Sequence, residues 1–315
     1  MHPALSIILF TTLSGAGFGL CFWVGLLGSG LHAYQVALTG FASIGLASAG
    51  LLCSVFHLRR PSRAWRAFSQ WRSSWLSREA LIAPASLAML AAFVAATALE
   101  HSAAATLGWI AAPVALLAVF ATSMIYTQLK AVAAWHTMRT PLLFLAYAIS
   151  SGFYFMLAML GLAKLTMPQH GGGPVVPDGL LVFLATTLAP AAFLVQYLWW
   201  RRRDAVGFGK SSAESATGLG NPGSVRMLEP PHTGANYLTS EMGYVVARRH
   251  AAKLRWISAI VGAAVPAILC LWAGISIAGQ PALSWLAAIA HLLGAGIARW
   301  LFFAEARHTV MLYYQ

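Results

Sequence analysis

The stretch FASIGLASAGLLCSVF, Phe41 to Phe56, is followed at once by HLRRPSRAW, His57 to Trp65. The first part holds no charged residue, whereas the second carries three arginines and a proline. An uncharged apolar run that ends in a basic cluster is typical of a helix that crosses lipid and stops in the headgroup layer. The pattern predicts a transmembrane helix ending near His57.

The composition extends this interpretation to the whole chain. Of 315 residues, 59% are hydrophobic and 9% are charged, against about 25% charged in soluble domains. A spanning helix needs about 20 mostly apolar residues. We therefore predict an all-α polytopic membrane protein with eight transmembrane helices, at about 5–28, 37–57, 79–99, 106–129, 140–163, 178–200, 253–279 and 281–304.

The distribution of basic residues predicts the orientation. In a soluble protein a net charge of +12 would suggest a nucleic-acid partner, but all twenty Lys and Arg except Lys164 fall on one side of the eight-span arrangement. Cytoplasmic loops of membrane proteins carry such an excess. We expect both termini in the cytoplasm of a bacterium, the chain in its inner membrane, contacts with lipid and no nucleic acid.

Two connections are long enough to act outside the lipid. Residues 62–76 predict an interfacial amphipathic helix with Trp65, Phe68, Trp71 and Trp75 on one face, although Arg72 falls within that face. Residues 201–252 form a polar loop rich in Gly, Pro and Ser, which is either disordered or docked on a cytoplasmic partner. We favour docking and assign it to Arg226, Glu229, His232, Tyr237, Glu241 and Tyr244.

Few ionisable groups are available for chemistry in the membrane. None of the eight carboxylates lies at the centre of a predicted span, which counts against an ion-coupled transporter working alone. At the cytoplasmic edge, however, His57 and Glu79 lie close in depth, as do Arg299 and Glu305. A histidine, an arginine and a carboxylate can hydrogen-bond a quinone carbonyl and carry its protons. Alternatively, Glu79 pairs with Arg78 or stabilises a helix N-terminus.

Cysteines and histidines limit the possible redox centres. The three cysteines show no C-x-x-C spacing, so any iron–sulfur cluster belongs to another chain. Haem b held between helices needs two imidazoles at similar depth. A pair of such ligands is possible among the histidines of the cytoplasmic layer, His57, His136, His250 and His308.

Several motifs in order resemble one family. HLRRPSRAWRAF and WLSREAL resemble the H-L-x-x-P-x-R-A-[FW] and L-S-x-E patterns of the membrane anchor of dimethyl sulfoxide reductase, the DmsC-like family. IARWLFF and WHTMRTPLLF resemble two further motifs of this family. The insert LEPPHTGANYLTSEMGYVVARRHAAKLRW is similar to the anchors (SoeC) of cytoplasmic, quinone-reducing sulfite dehydrogenases in the same family.

The resemblance implies a third subunit beside a molybdopterin catalytic chain and a four-cluster iron–sulfur chain, exchanging electrons with ubiquinone or menaquinone. The family's quinone-binding residues carry over to His57, Arg63 and Glu79, to which we add Trp65 and Arg299. The insert and the orientation favour electron transfer from sulfite to quinone. The alternatives are an anchor that oxidises menaquinol for dimethyl sulfoxide reduction, a haem b electron conduit and, remotely, a stand-alone transporter.

Overall fold

The computed structural model describes residues 3–56, 58, 60–167, 178–218, 246–273 and 280–314, with isolated positions between 225 and 242. Within these residues the chain is helical and contains no strand. The α-helices are α1 Leu5–Leu27, α2 Ala33–Phe56, α3 Trp75–Ala98, α4 Ala104–Thr127, α5 Arg139–Thr166, α6 Asp178–Val206, α7 Ala213–Thr217, α8 Val246–Ala259, α9 Val265–Ala273 and α10 Pro281–Ala304. Short 3₁₀ helices cover Gly28–Gly30, Pro61–Phe68 and Thr309–Tyr314.

Eight of the helical stretches in the described residues are long and apolar enough to cross a membrane, which confirms the predicted fold class. The seventh stretch joins α8 and α9 through a π-helical turn, Ile260–Ala264, and runs from Arg249 to Trp272. Because consecutive spans alternate in direction, the start of α3 and the ends of α4, α6 and α10 lie at one membrane edge. We call this the basic edge, since the arginine-rich connections lie there.

Helices α1 and α5 form the centre of the bundle. About three quarters of each is buried by other helices, and α1 packs against α2, α4, α5 and α10. Their close approach depends on glycine, because a Cβ built on Gly19 would lie 1.7 Å from the carbonyl oxygen of Ala148. Gly152 faces the backbone of Gly19 in the same way. Such small residues let helix backbones meet where lipid provides no hydrophobic driving force.

The segment before α3 differs from the single helix expected over 62–76. A 3₁₀ helix ends at Phe68, turns follow, and α3 begins at Trp75 after the extended residue Ser74. Arg78 holds the turns in place, since its guanidinium donates to the carbonyl oxygens of Trp71 and Arg72 at 3.0 and 2.7 Å. Trp71 stays exposed, as expected of an aromatic side chain at headgroup level.

An ion-pair network joins the ends of three helices at the basic edge. Arg255 on α8 contacts Asp204 on α6 at 2.9 Å and Glu305, just after α10, at 2.8 Å. Arg203 lies 2.5 Å from Asp204 and 3.6 Å from Glu305. Burial raises the pKa of the Glu305 carboxyl above its ordinary value, against the opposing effect of the two arginines. The network ties α6 to the last two spans.

Candidate functional site

Glu79 lies inside the bundle, about one turn from the start of α3. Its side chain is 5% exposed, and its Oε1 forms a short hydrogen bond with the Thr122 hydroxyl on α4. Arg78 does not pair with it, because that guanidinium lies 4.4 Å from the Trp75 ring centroid and bonds to backbone carbonyls. The described residues therefore leave Glu79 as a buried carboxyl held by one hydroxyl, and the proposed pairing with Arg78 is absent.

Arg299 is the second buried ionisable group of this region. It projects from α10, is 3% exposed, and places Cζ 3.6 Å from the ring centroid of Phe144 and 5.3 Å from that of Tyr147. Aromatic faces attract a guanidinium at such distances. Its sequence neighbour Glu305 pairs instead with Arg203 and Arg255. The sequence grouped Arg299 with Glu305, whereas the fold separates them.

Two small cavities adjoin Arg299, and one of them reaches toward Glu79. The first is bounded by Thr11, Ser14 and Thr122 together with Arg299, so it reaches the hydroxyl that holds Glu79. The second lies on the other side of Arg299 and is lined by Thr11, Thr12, Gly15, Ala16, Tyr147, Ala148, Ser151 and Ala295. Each has a volume of about 10 Å³. The fold thus gathers Glu79 and Arg299 around one buried polar region, which we call the polar core.

The other predicted quinone residues lie on the surface or outside the described part. Arg63 and Trp65 are on the 3₁₀ helix Pro61–Phe68, both are exposed, and Trp65 is 65% exposed. His57 lies outside the described residues. The 3₁₀ helix packs against α3 and α2, which places Arg63 and Trp65 at the same edge as Glu79. Their contact with a quinone stays a prediction.

The predicted haem and docking residues are only partly described. His136 donates from Nδ1 to the carbonyl oxygen of Thr127 at 2.7 Å, and Nδ1 of His308 accepts from the backbone N–H of Val310. Burial lowers the pKa of His308. His250 on α8 is exposed. Of the docking residues, Glu229 is exposed and the others lie outside the described residues: Arg226, His232, Tyr237, Glu241 and Tyr244.

A buried histidine lies deeper in the membrane. His291 on α10 is fully buried, with Nδ1 2.6 Å from the carbonyl oxygen of Gly262 and Nε2 3.0 Å from the Ser150 hydroxyl. Gly262 belongs to the π-helical turn, where the altered backbone leaves its carbonyl to a side chain. Both ring nitrogens therefore have protein partners, and His291 joins α5, α10 and the seventh span.

A larger cavity lies away from the polar core. It measures about 320 Å³ and opens between α6 and α8, where Tyr197, Trp200 and Trp256 line it beside Arg255. None of the predicted quinone residues lines it. Its size and aromatic walls make it the alternative location for a quinone at this edge, so an experiment on the site has to include it.

Sequence reasoning missed the residues that connect Glu79 to Arg299. Thr122, Tyr147 and the α1 residues Thr11 and Ser14 stand within apolar spans and carry no motif. One signal was available: Thr11 and Ser14 are three residues apart in TTLSG, a spacing that puts both hydroxyls on one helix face. Polar side chains on one face of a membrane helix point to neighbouring protein rather than to lipid.

Comparisons with known proteins agree with the motif resemblance. The family model described as DMSO reductase anchor subunit (DmsC) matches residues 1–202. Over its full length the chain is also 34% identical to a sulfite dehydrogenase subunit of Allochromatium vinosum, across 340 aligned positions that cover 99% of that protein. The predicted resemblance is confirmed: the chain belongs to the DmsC family of membrane anchor subunits.

Proposed function

We propose that this chain is the membrane anchor and quinone-binding subunit of a heterotrimeric molybdenum and iron–sulfur oxidoreductase that passes electrons from sulfite to membrane quinone. The family supports the anchor role, and the full-length similarity to a sulfite dehydrogenase subunit supports the substrate. A molybdopterin subunit and a four-cluster iron–sulfur subunit supply the remaining redox centres. The substrate does not touch this chain.

The observation that carries the proposal is the buried carboxyl of Glu79 near the basic edge. Reduction of a quinone to a quinol consumes two electrons and two protons, so the site needs a group that delivers protons to the quinone oxygens. Glu79 lies about one turn inside the membrane and is held by the Thr122 hydroxyl alone among the described residues. It can therefore exchange a proton with a quinone oxygen without first breaking direct contact with a basic side chain.

The surface residues complete this proposed site. His57 and Arg63 hydrogen-bond the quinone carbonyls, and the exposed ring of Trp65 packs beside the head group. Arg299 lies deeper, next to cavities of water size, so its direct contact with a quinone requires a head group that reaches past Glu79. The last iron–sulfur cluster of the partner subunit faces this edge and supplies the electrons.

The basic edge is the cytoplasmic face in this proposal. The excess of Lys and Arg at this edge supports that orientation, which places both termini and the partner subunits in the cytoplasm beneath the bacterial inner membrane. The loop 201–252 docks the partners, through Glu229 and the five assigned residues outside the described part. Haem b stays an alternative at the edge histidines, and a reduced absorption spectrum of the purified complex tests it.

A comparison of two electron acceptors tests the quinone site. In the purified complex, Glu79→Gln, Arg63→Ala and His57→Ala should lose sulfite-dependent quinone reduction and keep sulfite oxidation with a soluble dye. The matched control is Glu100→Gln, which changes an exposed carboxyl after α3 at the opposite edge. If these three variants keep quinone turnover, or if Trp256→Ala in the large cavity alone loses it, the site lies elsewhere.

The reverse reaction separates the two substrate assignments. If the complex instead reduces dimethyl sulfoxide with menaquinol and does not oxidise sulfite, the chain is an anchor of the sulfoxide reductase type, and the same residues serve quinol oxidation.

A further inference from the structure

Three buried polar atoms around Arg299 have no hydrogen-bond partner among the described residues. They are Nη1 of Arg299, the hydroxyl of Tyr147 and the hydroxyl of Thr12, and all three residues line the same cavity. Buried polar groups are rarely left unpaired, and a guanidinium inside a membrane bundle is the most expensive group to leave so. No side chain of the described residues takes this place, which leaves a small polar molecule in the cavity as the candidate partner.

The size and lining of the two cavities identify that partner as water. A volume of about 10 Å³ is close to the smallest that holds one water molecule, and such a molecule needs two to four polar partners. In the first cavity, Thr11 and Ser14 donate their hydroxyl hydrogens to backbone carbonyls of α1, so their oxygens remain able to accept. Thr122 and Arg299 complete its polar lining.

Charge balance connects this water to Glu79. Among the described residues the buried carboxylates are Glu79 and Glu305, and Glu305 already pairs with two arginines. Ionisable residues inside membrane spans face the bundle interior or a water-filled cavity and pair with one another or with backbone carbonyls. Thr122 borders the cavity of Arg299 and bonds directly to Glu79, so Glu79 is the buried carboxylate that a water molecule in this cavity can link to Arg299.

The Thr122 hydroxyl fits either protonation state of Glu79. Its oxygen lies within hydrogen-bond distance of both the Glu79 carboxyl and the Ala118 carbonyl, but it has one hydrogen to donate. With an ionised Glu79 the hydroxyl donates to the carboxylate. With a protonated Glu79 it accepts from the carboxyl and donates to Ala118. Proton gain and loss at Glu79 therefore need no movement of heavy atoms.

We propose that Glu79 and Arg299 form a water-bridged ion pair across the polar core. Arg299 donates to the water in the first cavity, this water donates to Thr122, and Thr122 donates to the Glu79 carboxylate. A second water joins Arg299 to Tyr147 and Thr12. The pair keeps Glu79 ionised at rest, so Arg299 is a positioning residue for the proton acceptor rather than a group that touches the quinone.

This inference rests on the proposed function for its role in turnover. Each quinone that is reduced takes up two electrons from the iron–sulfur subunit and two protons. Twice in succession, the Glu79 carboxylate takes a proton from water at the basic edge and passes it to one of the quinone oxygens. Arg299 and the waters then hold the restored carboxylate. The water-bridged ion pair itself belongs to the resting chain, so it can be measured without any quinone.

Infrared spectroscopy of the purified complex tests the ion pair directly. The difference between wild type and Glu79→Gln should show a carboxylate, without the carbonyl band of a buried carboxylic acid. Thr122→Val removes the bridging hydroxyl at nearly constant volume, and Gly15→Ala puts a methyl group next to both cavities, where its Cβ meets no atom within 4 Å. In both variants the Glu79 acid band should appear.

Two matched variants serve as controls. Thr122→Ser keeps the hydroxyl, and Gly45→Ala adds a methyl group on α2, where a Cβ also meets no atom within 4 Å. Both should retain the carboxylate. A protonated Glu79 in the wild type, or an ionised one in both Thr122→Val and Gly15→Ala, overturns the inference. A density map that shows other buried waters but none in either cavity overturns the inference as well.

Measurements of quinone reduction distinguish a failure of this inference from a failure of the proposed function. Loss of a positioned acid–base group costs about 10²–10⁴-fold. Thr122→Val misplaces such a group without removing it, so we expect quinone reduction to slow at least about tenfold. Dye-linked sulfite oxidation should stay unchanged, and Thr122→Ser should recover quinone turnover. If the infrared result is as expected but the wild type does not reduce quinone, the ion pair stands and the proposed function fails. If the wild type reduces quinone and Glu79 is protonated at rest, the proposed function stands and the ion pair fails.

Discussion

Substitution of Arg255 should weaken the attachment of the last two spans to α6. The variant Arg255→Gln loses the 2.8 Å contact with Glu305, which is 1% exposed, and the contacts with Asp204, which is 47% exposed. The exposed pair contributes about 0.2–1 kcal/mol. Breaking a buried pair costs about 3–5 kcal/mol, but Arg203 remains 3.6 Å from Glu305 and Arg255 is itself partly exposed. We therefore expect a loss of about 2–3 kcal/mol.

Thermal unfolding of the purified protein in detergent measures this loss. A decrease of about 2–3 kcal/mol corresponds to roughly 4–12 °C in Tm for a chain of this size class. Arg201→Gln, at an exposed arginine near the end of α6, should change Tm by no more than about 2 °C, as expected of a surface substitution. The double variant Arg255→Gln with Glu305→Gln should recover much of the loss, since no buried charge is left unpaired. Equal Tm values for Arg255→Gln and Arg201→Gln would refute the reasoning.

Two further predictions concern packing and pH. Gly19→Ala should lower the free energy of unfolding by about 1–3 kcal/mol, because its methyl group would overlap the Ala148 carbonyl at the α1–α5 crossing. The control is Gly45→Ala, whose methyl group meets no neighbour. Equal Tm values for the two variants would contradict the prediction. Burial raises the pKa of Glu305 in the folded protein, so its contribution to stability is complete below its unfolded pKa of about 4.3 and is lost as pH rises through the folded pKa. The Tm difference between wild type and Glu305→Gln should therefore fall over that window, and a flat difference would show that the carboxyl titrates normally.

The site was predictable where a local motif defined it. Glu79 was selected from the L-S-x-E pattern, and the structure adds that it lies one turn inside α3 rather than at its start. That shift follows from Ser74, whose extended backbone begins the helix earlier than hydropathy suggested. The shift changes the surroundings of the carboxyl. At the start of the helix it would contact water, whereas one turn further into the helix it contacts Thr122.

The grouping of Arg299 shows where sequence proximity fails. Glu305 follows it closely along the chain, and the sequence groups the two residues at the cytoplasmic edge. In the structure α10 ends between them, so Glu305 reaches the ion-pair network with Arg255 while Arg299 faces the interior. A separation of six residues is more than one and a half helical turns at about 3.6 residues per turn, which directs the two side chains to different neighbours.

The sequence by itself determined the eight spans, their alternation and the side that carries the basic residues. These properties are local, because each depends on the length and charge of one segment against a lipid layer of known thickness. Only the tertiary structure decided that Glu79, Thr122, Tyr147 and Arg299 share one polar core. Lipid-facing and helix-facing surfaces are both apolar in a membrane bundle, so hydropathy does not reveal which helices touch, and the packing of small residues on α1 and α5 sets that choice.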